Sequence, residues 1–305
     1  MIHPEDLALD LPAAGEEAEV TARDGARLTA TVAGSGPAVV LPHCWTGSRA
    51  VWAPVARRLV HAGHRVVLYD QRGHGASERG SERLTVDLLG DDLRAVLEQL
   101  DVRDAVLAGH SMGGMTVMSC AVRHPEVVAE RASGVVLAAT GAFGLARQGR
   151  EQLWRLALAG AALDRLISRP RLGTALVRST FGRAAAREHV EATRRLFCAI
   201  AGEVRRDCMV AMAAMDLRHG LARVEAPAAV LVGTRDTLTP RPFARAIVEH
   251  LPSARLEILP GAGHMLPFER PVELARTIRR LALDAAAITG RVATGPAATG
   301  RADVH

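Results

Sequence analysis

Ser111, Asp236 and His264 are the residues whose types, order and local settings could together transfer an acyl group. A serine hydroxyl is a weak nucleophile until a base removes its proton. An imidazole titrating near neutral pH can be that base, and a carboxylate can fix its tautomer and offset its charge. Ser111 lies in Gly109-His110-Ser111-Met112-Gly113, after the apolar run Asp104 to Ala108 and before a helix-compatible stretch. At such a strand-to-helix turn a serine can take a strained backbone that lifts its Oγ clear of the sheet. The same turn aims the Met112 N–H at the space where a tetrahedral oxyanion would form. Asp236 ends Gly233-Thr234-Arg235-Asp236 after the apolar run Ala228 to Val232, and His264 ends Pro260-Gly261-Ala262-Gly263-His264 after Arg255 to Leu259. Both therefore fall in loops at the carboxyl ends of strands. A histidine base predicts activity that rises with pH between about 6 and 7.

Those loops need a sheet behind them. Glu17 to Arg23 and Ala26 to Ala33 alternate in polarity around Asp24-Gly25, which predicts antiparallel edge strands joined by a two-residue type I′ turn. Ala38 to Leu41, Arg65 to Tyr69, Asp104 to Ala108 and Gly134 to Ala138 are short apolar runs separated by helical stretches, the pattern of a parallel sheet buried on both faces. Loops at the carboxyl ends of such strands converge on one crevice. Between Thr140 and Val224 the rhythm stops, and the chain reads as helical with breaks near Pro170, Gly173 and Gly182. Its apolar members, among them Trp154, Leu158, Leu163, Leu166, Leu176, Phe181, Phe197, Met209, Met212 and Met215, are expected mainly to pack on the core, with a lipophilic pocket as the alternative. Leu153 to Ile167 is the longest apolar stretch, interrupted by Arg155, Asp164 and Arg165.

Two further segments complete a resemblance. Leu41-Pro42-His43-Cys44-Trp45-Thr46-Gly47-Ser48, with Trp52 beyond it, is similar to the oxyanion loop after the third strand of the α/β-hydrolase family. Tyr69-Asp70-Gln71-Arg72-Gly73-His74-Gly75-Ala76-Ser77 is similar to that family's turn after the fourth strand, and the order serine, acid, histidine is the family's own. The resemblance covers about residues 17 to 287. It implies an α/β fold whose mostly parallel sheet is flanked by helices, with a helical cap inserted after the sixth strand. The implied division is a core of residues 17–140 and 225–287, a cap of 141–224, an N-terminal arm of 1–16 and a disordered tail of 288–305. It further implies Ser111, Asp236 and His264 as catalytic residues, Met112 and Trp45 as oxyanion-hole N–H donors, and His43 and Cys44 in the loop lining the site. Many relatives carry glycine where this chain has Cys44. The expected activity is that of a carboxylesterase-like serine hydrolase cleaving a small to medium, apolar ester, thioester or lactone. A carbon–carbon bond hydrolase or a cofactor-free perhydrolase is the alternative, and a non-catalytic ligand receptor is the more distant one. Serine at 111 argues against the dehalogenase and epoxide hydrolase branches, which use a carboxylate nucleophile.

Other residues weigh less. Asp70 could compete with Asp236 as the orienting acid but belongs to a different loop. His110 is expected to point away from Ser111 by strand alternation, and His43 and His74 are expected to order their loops. No histidine pair has metal-ligand spacing and no phosphate loop is present, so neither metal nor cofactor is expected. With 305 residues, 49% of them hydrophobic, the chain can bury a full core. The net charge is +5, but the basic residues, all arginine, are scattered among acids, which argues against a nucleic-acid partner and leaves a small-molecule substrate. The cysteines at 44, 120, 198 and 208 have neither zinc nor redox spacing and are expected reduced, with Cys44 the one that could be reachable from the site. An acidic N-terminus without an apolar leader, and no run long enough to span a bilayer, point to a cytoplasmic protein.

Overall fold

Short runs of Val, Leu and Ala become eight strands of one sheet in the computed structural model, which describes residues 4–144, 161–183 and 185–288. The strands are β1 (Glu16–Thr21), β2 (Arg27–Ala33), β3 (Ala38–Pro42), β4 (Arg65–Tyr69), β5 (Ala105–His110), β6 (Ala132–Ala138), β7 (Ala228–Gly233) and β8 (Ala254–Leu259). Their spatial order is β1-β2-β4-β3-β5-β6-β7-β8. β2 pairs antiparallel with β1 and with β4, and every later pairing is parallel.

Side chains alternate across the sheet with period two. Val40, Val67 and Leu107 join one core with α2 (Val86–Gln99), α3 (Met112–Arg123), α4 (Pro125–Arg131) and α10 (Arg241–His250). Val39, Leu41, Val66 and Val106 join the opposite core with α1 (Ala53–His61) and α12 (Pro271–Ile288). β3, β5 and β7 are buried at every position, as strands covered on both faces must be. β8 lies at one edge of the sheet, and Ile258 is 40% exposed. α2 starts where Thr85 Oγ1 accepts the Leu88 N–H at 3.0 Å, a cap worth about 1 kcal/mol.

The first hairpin is not the two-residue turn its sequence suggests. Ala22 and Gly25 close a turn through Gly25 N–H to Ala22 O at 2.9 Å, and Ala22 N–H reaches Ala26 O at 2.8 Å, leaving a three-residue loop. Gly25 takes φ 84° while Asp24 is not among the residues with positive φ, whereas a type I′ turn needs both. The reason is tertiary. Asp24 points inward to pair with the fully buried Arg72 at 3.1 Å and accepts the N–H groups of Ser81 and Glu82 at 3.0 and 3.2 Å.

Between β6 and β7 the chain forms α5 (Ala161–Ser168), α6 (Pro170–Arg178), α7 (Arg187–Ala199), α8 (Gly202–Ala214) and α9 (Arg218–Leu221) among its described residues. Gly173 does not break this segment. It is buried inside α6, pressed against the main chain of Ile167. Met209, Met212 and Met215 pack into the main core, and Phe181 joins a smaller cluster with Cys44, Met265 and Phe268. Leu166 and Leu176 are exposed. Trp154, Leu158 and the stretch 145–160 lie outside the described residues, as does the expected tail beyond Ile288, which itself ends α12. Among the described residues no helix is long and apolar enough to cross a membrane.

Candidate active site

Ser111 stands between the last residue of β5 and the first of α3 with φ 54° and ψ −116°. A non-glycine residue in that region costs of order 1–3 kcal/mol and persists only where its surroundings enforce it. Here Ser111 N–H donates to Ala138 O at 2.9 Å, while its carbonyl accepts from Thr140 Oγ1 at 2.7 Å and from Gly114 N–H at 2.9 Å. A Cβ on Gly113 would run into the carbonyls of Pro42 and His43, so only glycine lets the first turn of α3 lie against the loop leading to Trp45. The start of α3, with its outward main-chain N–H groups, suits developing negative charge.

The three sequence-predicted residues meet. His264 Nε2 lies 3.0 Å from Ser111 Oγ, and His264 Nδ1 lies 3.1 and 3.0 Å from the two carboxylate oxygens of Asp236. All three side chains are buried. Burial alone would raise the Asp236 carboxyl, but His264 and the Thr239 N–H and hydroxyl hold it down to about 2. Asp236 is thus a carboxylate facing the imidazole, and the imidazole faces the hydroxyl. Asp70, the rival acid, uses its carboxylate on the N–H groups of Arg49 and Ala76 at 2.7 and 3.0 Å.

The loop after β3 is held by a polar network that composition alone does not reveal. His43 Nε2 accepts the Gln71 N–H at 2.9 Å, so its proton sits on Nδ1, which donates to Cys44 O at 2.8 Å. Gln71 returns a bond from Nε2 to His43 O at 2.5 Å, and its Oε1 faces the Thr116 hydroxyl of α3 at 2.6 Å. His74 accepts the Thr46 N–H at 3.3 Å and donates to Arg72 O at 3.0 Å. Burial pushes His43 down to about 4, and burial with the neighbouring His43 pushes His74 down to about 3. Gln71 and Thr116 were not singled out from sequence. Their only local signal was Gln71's place in the β4 turn motif. Trp45 directs its indole N–H to Arg205 O of α8 at 3.2 Å and packs T-shaped against the ring of Phe197 of α7, which ties this loop to the segment between β6 and β7.

Cys44 sits in that loop, but its side chain is turned into the cluster of Val51, Val177, Phe181, Met265 and Phe268. Burial pushes its thiol up to about 12, so the reachable thiol considered from sequence is not what the fold provides. His110 is also not a bystander. Its Nε2 lies 2.8 Å from the His264 carbonyl, and its ring packs 5.2 Å from that of His264. Among the described residues no cluster of His, Cys, Asp and Glu is arranged to hold a metal ion.

Comparison with known proteins agrees with this architecture. A family model described as the alpha/beta hydrolase fold matches residues 37–271. The chain is 31% identical over 209 residues to a 3-oxoadipate enol-lactonase 2 of Acinetobacter baylyi, covering 68% of this chain and 74% of the relative. It is 31% identical over 238 residues to a pimeloyl acyl-carrier-protein methyl ester esterase of Chromobacterium violaceum, covering 76% and 88%. An esterase from Exiguobacterium antarcticum shares the fold with a TM-score of 0.80 at 21% identity, over 88% of this chain and all of that one. A family-model match across most of the chain, joined to this sheet order, means that the chain belongs to the α/β-hydrolase family.

Proposed function

We propose that the chain is a serine hydrolase that cleaves a small to medium, largely apolar carboxylic ester, thioester or lactone. The observation that carries this reading is the continuous contact from Asp236 through His264 to Ser111, with Ser111 on a strained turn. As Ser111 Oγ bonds to the acyl carbon, His264 Nε2 takes its proton and the carbonyl electrons move onto oxygen. The N–H groups of Met112 and Trp45 stabilise that oxyanion, and losing one such donor typically costs about 100- to 1,000-fold in turnover. Collapse expels the leaving oxygen or sulfur with the proton from His264, leaving Ser111 acylated. Water then attacks, giving its proton to His264, and the acid leaves as Ser111 regains its hydrogen.

Residues 141–224 act as a cap over a core of 17–140 and 225–287. A recess of about 420 Å³ lined by Arg165, Ser168, Phe197, Cys198, Ile200, Gly202 and Arg205 adjoins the site loop where Phe197 and Arg205 touch Trp45. Its lining mixes polar and apolar groups and includes none of Ser111, Asp236 and His264, so the apolar preference rests on the family resemblance. The lactonase and methyl ester esterase relatives are consistent with oxygen-ester chemistry.

The test is labelling with a fluorophosphonate, read by intact mass and modified peptide. One adduct on Ser111, absent in Ser111→Ala, is expected, with esters hydrolysed about a million-fold more slowly by that variant. Asp236→Asn should cost about four orders of magnitude in kcat, because it favours the wrong tautomer of His264. A folded protein that takes no label would overturn the reading in favour of a non-catalytic receptor. Faster turnover of ring-fission diketones, or of peracid formation, than of any ester would move it to the carbon–carbon or perhydrolase chemistry.

A further inference from the structure

The loop carrying His264 is built from two distant parts of the chain. His264 N–H donates to Thr180 O at 2.8 Å and Arg183 N–H donates to Gly261 O at 3.0 Å, so residues 180–183, between α6 and α7, run alongside 261–264. At their junction sits Glu269, the last residue of α11 (Leu266–Glu269) and only 5% exposed. Its Oε2 accepts the Gly182 N–H at 2.7 Å and the Gly263 N–H at 3.0 Å, and Oε1 lies 3.1 Å from the same Gly263 nitrogen. The approach tolerates only hydrogen at both α-carbons. A Cβ on Gly182 would collide with the Gly261 carbonyl and the Glu269 carboxylate, and one on Gly263 with the main chain of Phe181 and Gly182.

A buried carboxylate costs several kcal/mol unless its oxygens are hydrogen-bonded. Nothing in a four-residue helix requires one. The neighbouring Arg270 bonds instead to the main-chain oxygens of Glu269 and Pro260, so the Glu269 carboxylate is met by amides. An acceptor with two lone pairs per oxygen is what can take an N–H from each of two segments at one point.

We propose that Glu269 is a positioning residue that fastens residues 180–183 to the His264 loop, making the insertion part of the base's seat rather than a separable lid. This rests on the reading of Ser111, His264 and Asp236 given above. Any displacement of the insertion is then carried to His264 Nε2, and a misplacement near 1 Å at a reacting group can cost about 100-fold.

The experiment measures fluorophosphonate labelling of Ser111 and ester kinetics in Glu269→Ala, Glu269→Asp, Glu269→Gln and Gly182→Ala, each with its melting temperature. Glu269→Ala is expected to lower the labelling rate and kcat by about 10- to 100-fold with KM within about twofold. Glu269→Gln, whose amide oxygen can accept the same N–H groups, should recover most of that loss. Gly182→Ala should reproduce it with the carboxylate intact, and the double variant should be no slower than the worse single, because both open one joint. If Glu269→Ala does not fold, Glu269→Asp decides: a carboxylate withdrawn by one methylene should still slow labelling about tenfold. Variants that melt earlier yet label at the wild-type rate would make Glu269 a merely structural residue and overturn the proposal. Wild-type protein without label on Ser111 would instead remove the catalytic reading beneath it.

Discussion

His110 Nε2 lies 2.8 Å from the main-chain oxygen of His264, so the residue before the proposed nucleophile grips the backbone of the proposed base. A carbonyl can only accept, which places the His110 proton on Nε2. Burial foremost, and then His264, pushes His110 down to about 3, so it stays neutral. Among the described residues its Nδ1 has no partner. His110→Leu should therefore lower kcat by about tenfold at little cost in KM, while His110→Gln, which can still offer an N–H, should lose less. Equal activity in the leucine variant would mean that Asp236 and the Glu269 joint hold His264 unaided.

Acid should weaken the fold through its buried imidazoles. His43, His74 and His110 are pushed down to about 4, 3 and 3, mainly by burial. A histidine held below its ordinary value near 6.5 takes up a proton only on unfolding, so stability is complete above that value and declines as pH falls toward 4 and 3. Each contributes a slope approaching about 1.4 kcal/mol per pH unit near pH 5. Glu269, raised by burial, and Asp92, raised by burial to about 6, work in the opposite sense above their ordinary carboxylate values and offset part of the histidine loss, and Asp236 adds its own loss only below about pH 4. Urea midpoints should be level from pH 8 to about 6.5 and fall steadily below. A midpoint as high at pH 5 as at pH 8 would contradict this account.

Much of the sheet was legible because its signals are local. Val39-Val40-Leu41 or Val230-Leu231-Val232 reads as a covered strand from its own composition. The residues meeting at His264 were legible as well, because Ser111, Asp236 and His264 each lie just beyond the carboxyl end of a strand. What stayed hidden depends on partners far apart in sequence. Asp24 looked like a turn residue because nothing nearby announces Arg72 as its counter-ion. Gly173 looked like a helix break because its reason, the backbone of Ile167, lies across a turn. Glu269 and Gly182 stand 87 residues apart, and neither has a neighbour that hints at the other.

Thiol chemistry should separate the cysteines. Cys198 is exposed, whereas Cys44, Cys120 and Cys208 are buried. Burial pushes the Cys44 and Cys120 thiols up to about 12 and Cys208 higher still. Iodoacetamide on native protein should modify Cys198 first and the other three only in urea, as read by peptide mass spectrometry, since the thiolate is the reactive form. Early modification of Cys44 would show that the loop from His43 to Ser48 opens in solution.

Arg72 is a fully buried cation shared by two acids. Its fully buried guanidinium makes two 2.6 Å bonds to Asp92 and a 3.1 Å bond to Asp24. Through them it joins α2, the first hairpin and the turn after β4, whose Gln71 holds His43. Arg72→Met removes one cation and strands two buried carboxylates, a loss of about 3–5 kcal/mol at pH 7. Exchanging both acids as well, in Arg72→Met/Asp24→Asn/Asp92→Asn, should return part of it, because the uncompensated charges go with their partner. The deficit of the single variant should also narrow toward pH 5, since a carboxyl buried without its cation takes up a proton more readily. Urea midpoints of the single and triple variants at pH 7 and pH 5 would check both. A single variant as stable as wild type at pH 7 would mean that water or a shifted side chain reaches Asp24 and Asp92.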